Sequence, residues 1–209
     1  MDYVRGLYSV LQRLRAKCPR VPMMLCSGGG GRADYELLKY FTKFWPSNDT
    51  ELLERIFMQW NYSYFFPAIV SDNHMADWGK RPLKYRLDVA SMGKLGFDIV
   101  YSKLSDKDKQ FAQAALHTYN GFKDVVWHGE QYRLASPYEG DIAALLYVNA
   151  DKSRAIVFTL PYRHAPEKYR YPAPGAPGRP RPAKKLPHYG AEPVPRYQVY
   201  LASQQGVQR

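Results

Sequence analysis

From Asp2 to Arg15 the apolar positions Val4, Leu7, Tyr8, Leu11 and Leu14 recur at helical spacing, with Arg5, Gln12, Arg13 and Arg15 between them. One face of a helix collects them, so the segment is predicted to be an amphipathic helix ended by Pro19. Val21–Cys26 is a short apolar run stopped by Gly28-Gly29-Gly30-Gly31, the pattern of a buried strand followed by a backbone-permissive loop. A second short strand is expected at Phe41–Trp45. Ser47-Asn48-Asp49-Thr50 then supplies helix-start chemistry, with Asn48 and Glu51 in capping-box spacing. The stripe Leu52, Leu53, Ile56, Phe57 and Trp60 continues that helix. Tyr62–Ala68 and Leu87–Met92 read as strands, and a helix follows Ser105 through Phe111, Ala114, Ala115 and Tyr119.

Strands and helices alternating over short connections predict a parallel α/β sheet or barrel. Near residue 130 that rhythm breaks. Gln131–Ser136, Ala143–Val148 and Ala155–Leu160 are strand-length runs separated by the turn-like 137–140 and 149–152, which predicts an antiparallel meander.

The chain has 209 residues, of which 45% are hydrophobic and 15% aromatic, enough apolar side chain to exclude disorder throughout. No window approaches the roughly 20 apolar residues of a spanning helix, so no membrane association is expected. The start Met1-Asp2-Tyr3-Val4-Arg5 lacks a secretory pattern, which implies a cytoplasmic location if it is the true N-terminus. Cys18 and Cys26 alone give neither a disulfide framework nor metal-type spacing. No metal and no cofactor is expected.

The net charge of +11 is concentrated in 161–209, which carries +7 and ten of the sixteen prolines. That composition predicts a disordered or polyproline-like basic tail. Its cations could engage phosphates, but aromatic residues are not interleaved with them, so nucleic-acid binding is disfavoured.

Two segments could carry chemistry. Four glycines past a strand let backbone approach a ligand, with Arg32 and Asp34 beside it. A nucleotide loop fails on detail, because neither Walker nor Rossmann spacing is present; a flexible surface turn fits equally well. The second segment, Trp45–Glu51, places carboxylates at a strand end, where barrel enzymes hold acids and bases. Spacing alone fits plain helix capping better.

The two segments together resemble the α-galactosidases of glycoside hydrolase family thirty-six, with its C-x-x-G-x-G-R-x-D and W-x-S-D-x-x-D-x-x-x-R motifs. Cys26, Gly29, Gly31, Arg32 and Asp34 match the first; Trp45, Ser47, Thr50 and Arg55 are set against the second. The likeness continues through Tyr64-Phe65-Phe66-Pro67, His74, Gly93–Asp98 and Trp127-His128-Gly129 to about residue 160. It implies an α/β fold: the second half of a (β/α)8 TIM barrel over 1–128, an incomplete antiparallel β-domain over 129–160, and the disordered tail 161–209. A whole barrel takes roughly 250 residues, so about half is expected here.

The resemblance further implies hydrolysis of terminal α-galactosides with retention, by a nucleophilic carboxylate and a second carboxylate as general acid/base. Cys26, Gly29, Arg32, Asp34 and Trp45 would bind the α-galactoside. Asn48 stands at the acid/base position and Glu51 at that motif's second Asp; Asp49 is a substitute acid. The nucleophile segment would lie upstream of this chain, which implies a fragment inactive alone, self-associating or pairing with an upstream half. A galactoside-binding remnant without catalysis is the alternative. The tail is expected to be either a changed reading frame or a genuine basic linker.

Overall fold

The computed structural model describes residues 2–26, 30–76, 82–161, 184–185 and 198–203. Helix α1 (Asp2–Lys17) leads into strand β1 (Met24–Leu25), and a 3-10 turn at Leu37–Lys39 precedes β2 (Lys43–Phe44). Helix α2 (Leu52–Tyr62) and a 3-10 turn at Ala68–Val70 lead to β3 (Asp72–Ala76); α3 (Leu83–Ala90) leads to β4 (Lys94–Asp98). Helices α4 (Asp106–Asn120) and α5 (Lys123–His128) follow. Five strands close the described chain: β5 (Glu130–Ala135), β6 (Ile142–Val148), β7 (Arg154–Pro161), β8 (Lys184–Lys185) and β9 (Gln198–Ser203).

β1 pairs parallel with β2 and β3 pairs parallel with β4. A parallel bridge from Phe44 to Ser71 joins the two pairs, so the strands follow one another in chain order. Paired residues project from the same face of a sheet. One face therefore presents Leu25, Phe44 and Met75, which pack under α1 and α3 with Leu11, Leu37, Leu87 and Ala90. The opposite face presents Met24, Cys26, Lys43, Trp45, Asp72, His74, Lys94 and Gly96. The apolar side faces helices, and the polar side holds the candidate chemistry.

Beyond residue 130 the sheet runs β5-β6-β7-β9-β8, antiparallel throughout. Its inward row Ala143, Leu145, Tyr147, Ile156, Phe158 and Leu160 joins Ile56, Trp60, Tyr85, Val89 and Val125 in the largest core. Gly129 fits between α5 and β5 because a Cβ there would overlap the carbonyls of Val125 and Val148.

The helices at 2–17 and 106–120 form where the spacing places them, and Ser105 caps the latter by accepting from the Asp108 N–H at 3.1 Å. Four expectations are corrected. Leu87–Met92 is not a strand: Leu83–Ala90 is helical, with Tyr85, Leu87, Val89 and Ala90 all buried. Leu83, Tyr85, Leu87 and Val89 alternate with Lys84, Arg86 and Asp88, a two-residue period that imitates a strand although the segment is helical. Tyr62–Ala68 is not a strand either; it spans the end of α2 and the turn before β3, where Tyr62 and Phe66 pack against Phe44. The helix cap is Glu51, not Asn48: the Glu51 carboxylate accepts from the Leu53 N–H at 2.7 Å and the Glu54 N–H at 3.3 Å.

The fourth correction concerns the tail. Gln198–Ser203 pairs with β7, and Lys184–Lys185 with β9, so these parts of 161–209 are ordered strand. Gln198–Ser203 follows Pro195, the last proline, and a six-residue run with every N–H available can extend the sheet. The rest of the tail, on which the reading-frame and nucleic-acid expectations fall, lies outside the described residues.

Candidate functional site

The C-terminal ends of β1 and β2 are bound together by the Trp45 N–H, which donates to the Leu25 carbonyl at 2.8 Å. Cys26, exposed, thus leaves β1 beside the point where Trp45 leaves β2. Trp45 is itself 8% exposed. The Arg55 guanidinium lies 4.2 Å from its ring centroid, and the His74 imidazole 4.4 Å away at a 42° tilt. A Cβ at Gly96 would overlap the His74 ring, so the glycine makes room for that imidazole.

Arg55 is 3% exposed, and its Nη2 donates to the Ser47 carbonyl at 2.6 Å, fixing the turn that carries Asn48 and Asp49. Burial lowers its pKa to about 10, with Asp49 and Asp72 opposing the change. Its Nε and Nη1 have no hydrogen-bond partner in the structure. Such buried donors are costly and are rarely left so unless water or a ligand takes them.

Below Trp45 on the polar face, Asp72 is ion-paired to Lys43 at 2.7 Å and approaches His74 Nε2 at 3.4 Å. Burial pushes its carboxyl up, but hydrogen bonding to His74 and Lys43 outweighs that and holds it below the usual range. Burial, with Lys43 nearby, pushes the Lys94 ammonium down. Lys94 donates to the Thr42 carbonyl at 3.1 Å and lies over the Trp127 ring.

The remaining candidates occupy other settings. Asn48 and Asp49 are exposed; Asp49 accepts from the Glu51 N–H at 2.8 Å, so one carboxylate oxygen is held by the turn. Asp34 accepts from Tyr8 Oη at 2.8 Å and from the Leu37 N–H at 2.7 Å, which ties it to α1 and the following 3-10 turn. The Arg32 guanidinium lies over Tyr3 of α1, 5.6 Å from the ring centroid. Gly29 lies outside the described residues. The structure therefore joins Cys26, Trp45, Asn48 and Asp49 at adjoining strand ends, and engages Arg32 and Asp34 with α1.

Sequence reasoning did not single out Lys43 and Asp72. Their signal is a polar alternation, Lys43-x-Trp45 beside Asp72-x-His74, that marks one face of the parallel strands. It is hidden because Asp and Asn are poor strand formers. Among the described residues no cluster of His, Cys, Asp and Glu could hold a metal ion, and no helix is long and apolar enough to cross a membrane.

The same segments are those that known proteins share. An α-galactosidase of Geobacillus stearothermophilus, AgaA, is 33% identical over 161 residues, covering 74% of this chain and 22% of the relative. Alpha-galactosidase 2 of Pediococcus pentosaceus is 34% identical over 178 residues, 82% of this chain and 24% of the relative. A crystal structure of an AgaA variant with raffinose superposes with a TM-score of 0.72, covering 74% of this chain and 22% of that one. The galactosidase domain of an α-galactosidase–sucrose kinase superposes with a TM-score of 0.76 at 28% identity, over 79% and 24% of the two chains. The chain thus spans about a quarter or less of the length of these relatives. The melibiase family profile matches residues 1–129, the stretch from α1 through α5 that builds the polar sheet face, and the chain belongs to that family.

Proposed function

We propose that this chain is part of an α-galactosidase-type retaining glycosidase, supplying later strands of a (β/α)8 barrel over 1–128 and the start of its β-domain over 129–160. The observation that carries this reading is the joining of Cys26 and the Trp45–Asp49 turn at the C-terminal ends of adjacent parallel strands, where barrel enzymes bind substrate. The ligand is an α-galactoside oligosaccharide of the kind bound in the relatives' crystals, raffinose and stachyose. Cys26, Gly29, Arg32, Asp34 and Trp45 are its binding residues, and the open donors of Arg55 face the same turn. With the Trp45 ring enclosed by Arg55 and His74, a sugar meets the indole only when His74 shifts.

Alone, the chain lacks the means to turn over substrate. Retention needs two carboxylates about 5–5.5 Å apart. Asn48 cannot donate and reclaim a proton at neutral pH, and Asp49 is bound into its turn. A nucleophile would come from an upstream half. Asn48 also supports a second reading, a galactoside-binding remnant that holds sugar without cleaving it.

Incubating the purified chain with nitrophenyl α-galactoside, and titrating it with galactose by NMR, tests both readings. The partial-enzyme reading predicts no turnover alone, and turnover when residues 2–160 carrying Asn48→Asp are joined to the upstream half of a relative. A chimera in which Asp49→Asn abolishes activity and Asn48→Asp changes nothing would refute the site assignment. Galactose binding with a chimera inert even after Asn48→Asp would leave the remnant.

A further inference from the structure

The end of α2 away from the candidate pocket carries a second constellation. Tyr64 and Tyr138 are 59% and 62% exposed, yet each ring is held in place. The Arg133 guanidinium lies 3.8 Å from the Tyr64 ring centroid. Its Nε donates to Ser63 Oγ at 3.0 Å and its Nη2 to the Ser63 carbonyl, so the arginine is itself fixed. Tyr138 packs edge-on to Phe57 at 5.0 Å, and its hydroxyl accepts from Asn61 Nδ2 at 2.7 Å. Asn61 and Tyr64 lie three residues apart at the end of α2, so the amide that holds Tyr138 and the ring that carries Arg133 share one end of that helix. Helix α2 has 11 residues, so about 16 Å separates this patch from the Asn48 turn at its other end.

We propose that this patch is a second glycan-binding surface, distinct from the candidate pocket, for neutral galactosyl-bearing oligosaccharide or polysaccharide chains. A pyranose presents an apolar C–H face and a rim of hydroxyls. An exposed tyrosine ring takes the first while its hydroxyl, the Asn61 amide and the Arg133 guanidinium take the second. Rings already locked by neighbours lose little conformational freedom on binding, which favours weak, reversible capture of an extended chain. An exposed aromatic patch on a rigid support marks a recognition surface, and alternating apolar and hydrogen-bonding groups suit a carbohydrate better than a purely apolar partner.

Native electrophoresis of the full chain through gels with and without galactomannan, a neutral polymer bearing α-galactosyl units, tests the proposal. The chain should be retarded, with soluble stachyose competing. Tyr64→Ser with Tyr138→Ser should weaken retardation about fivefold or more, the loss expected of one or two aromatic contacts. Tyr101→Ser, at an exposed tyrosine outside both surfaces, should change it less than about twofold, and Cys26→Ala and Asn48→Ala report any retardation that comes from the candidate pocket. Circular dichroism checks folding. Should the double variant unfold, Tyr64→Leu and Tyr138→Leu are measured singly, and each should still weaken retardation. Absence of retardation of the unaltered chain overturns the proposal, as does retardation lost in the pocket variants and kept in the patch variants. Concentration-dependent self-association abolished by the patch variants, with no effect of galactomannan, would identify a protein-binding surface and overturn it equally.

Discussion

The parallel unit and the antiparallel sheet solve the problem of burying strands in opposite ways. In the antiparallel sheet the register Ala143–Leu160, Leu145–Phe158 and Tyr147–Ile156 lines up six side chains, each 4% exposed or less, against α2, α3 and α5. Its contacts with the helices are apolar, and two hydroxyls that reach across are paired: Tyr147 Oη donates to the Met92 carbonyl at 3.2 Å and Tyr85 Oη to the Pro161 carbonyl at 2.9 Å. The parallel strands are two to five residues long and place Lys43, Asp72, His74 and Lys94 on one face. Beside that face the buried Arg55 Nε and Nη1 stay without hydrogen-bond partners. Packing holds one region, and charge organises the other. Unfilled hydrogen-bonding capacity of the kind a ligand takes up lies in the second, at Arg55.

The largest expected effect follows from the apolar side. Phe158 is fully buried, edge-on to Phe122 at 6.2 Å and to Tyr147 at 5.8 Å. Phe158→Ala removes a ring from a site that cannot collapse, and should cost about 3–5 kcal/mol in urea-unfolding free energy. A loss below about 1 kcal/mol would show that the antiparallel sheet is not where stability resides.

Tyr119→Phe probes where the two regions join. The hydroxyl donates to the Gly93 carbonyl at 2.7 Å, accepts from the Leu95 N–H at 3.1 Å and from Trp127 Nε1 at 2.9 Å. It thereby occupies the outer edge of β4, which would otherwise expose unpaired backbone. Deleting it leaves the Leu95 N–H short of a partner, and the Gly93 carbonyl and Trp127 Nε1–H with only their mutual contact at 3.4 Å, for about 2 kcal/mol. Amide exchange at Leu95 should accelerate, whereas exchange along β6 should track only the global change.

Acid separates the regions most directly. The Asp72 pKa is lowered in the folded chain, so the stability it contributes is present above the ordinary carboxylate value of 3.8 and is lost as pH falls below it. Asp72→Asn should reduce stability at pH 7 by about 1–2 kcal/mol, discounted because Lys43 is one-third exposed, and should flatten the acid limb of the stability profile. Phe158→Ala should lower that profile at every pH without changing its slope. An unchanged acid limb in Asp72→Asn would remove Asp72 as the organising charge.

The contrast also governs how much was legible in the sequence. The antiparallel sheet announces itself through Val, Ile, Leu and Tyr bounded by 137–140 and 149–152, because side-chain packing and strand propensity agree there. The parallel unit hides its strands. Asp72–Ala76 has the composition of a loop, since its Asp and His serve charge pairing rather than burial, and Leu83–Ala90 alternates apolar and charged residues as a strand does although α3 is helical. The Cys26 and Trp45 segments were visible through family resemblance. The Asp72–His74–Lys43 group was not, because its meaning depends on which strands are neighbours.

The smallest effect expected is at the start of α2, where spacing offered Asn48 as the cap and the structure chose Glu51. Asn48 lies three residues before the cap, exposed, on the turn that Arg55 holds through the Ser47 carbonyl. Glu51 has extended backbone, with φ −62° and ψ 130°, and its carboxylate meets two of the otherwise unpaired N–H groups of the first turn, those of Leu53 and Glu54. Its negative charge also complements the helix dipole. Glu51→Ala should therefore cost about 1 kcal/mol, and Glu51→Asp, whose shorter carboxylate still reaches the first turn, much less. Asn48→Ala should leave stability within about 0.5 kcal/mol of the unaltered chain, which frees that side chain for the pocket. If Asn48→Ala instead costs as much as Glu51→Ala, the amide is a structural cap and its place at the acid/base position of the family is a coincidence of spacing.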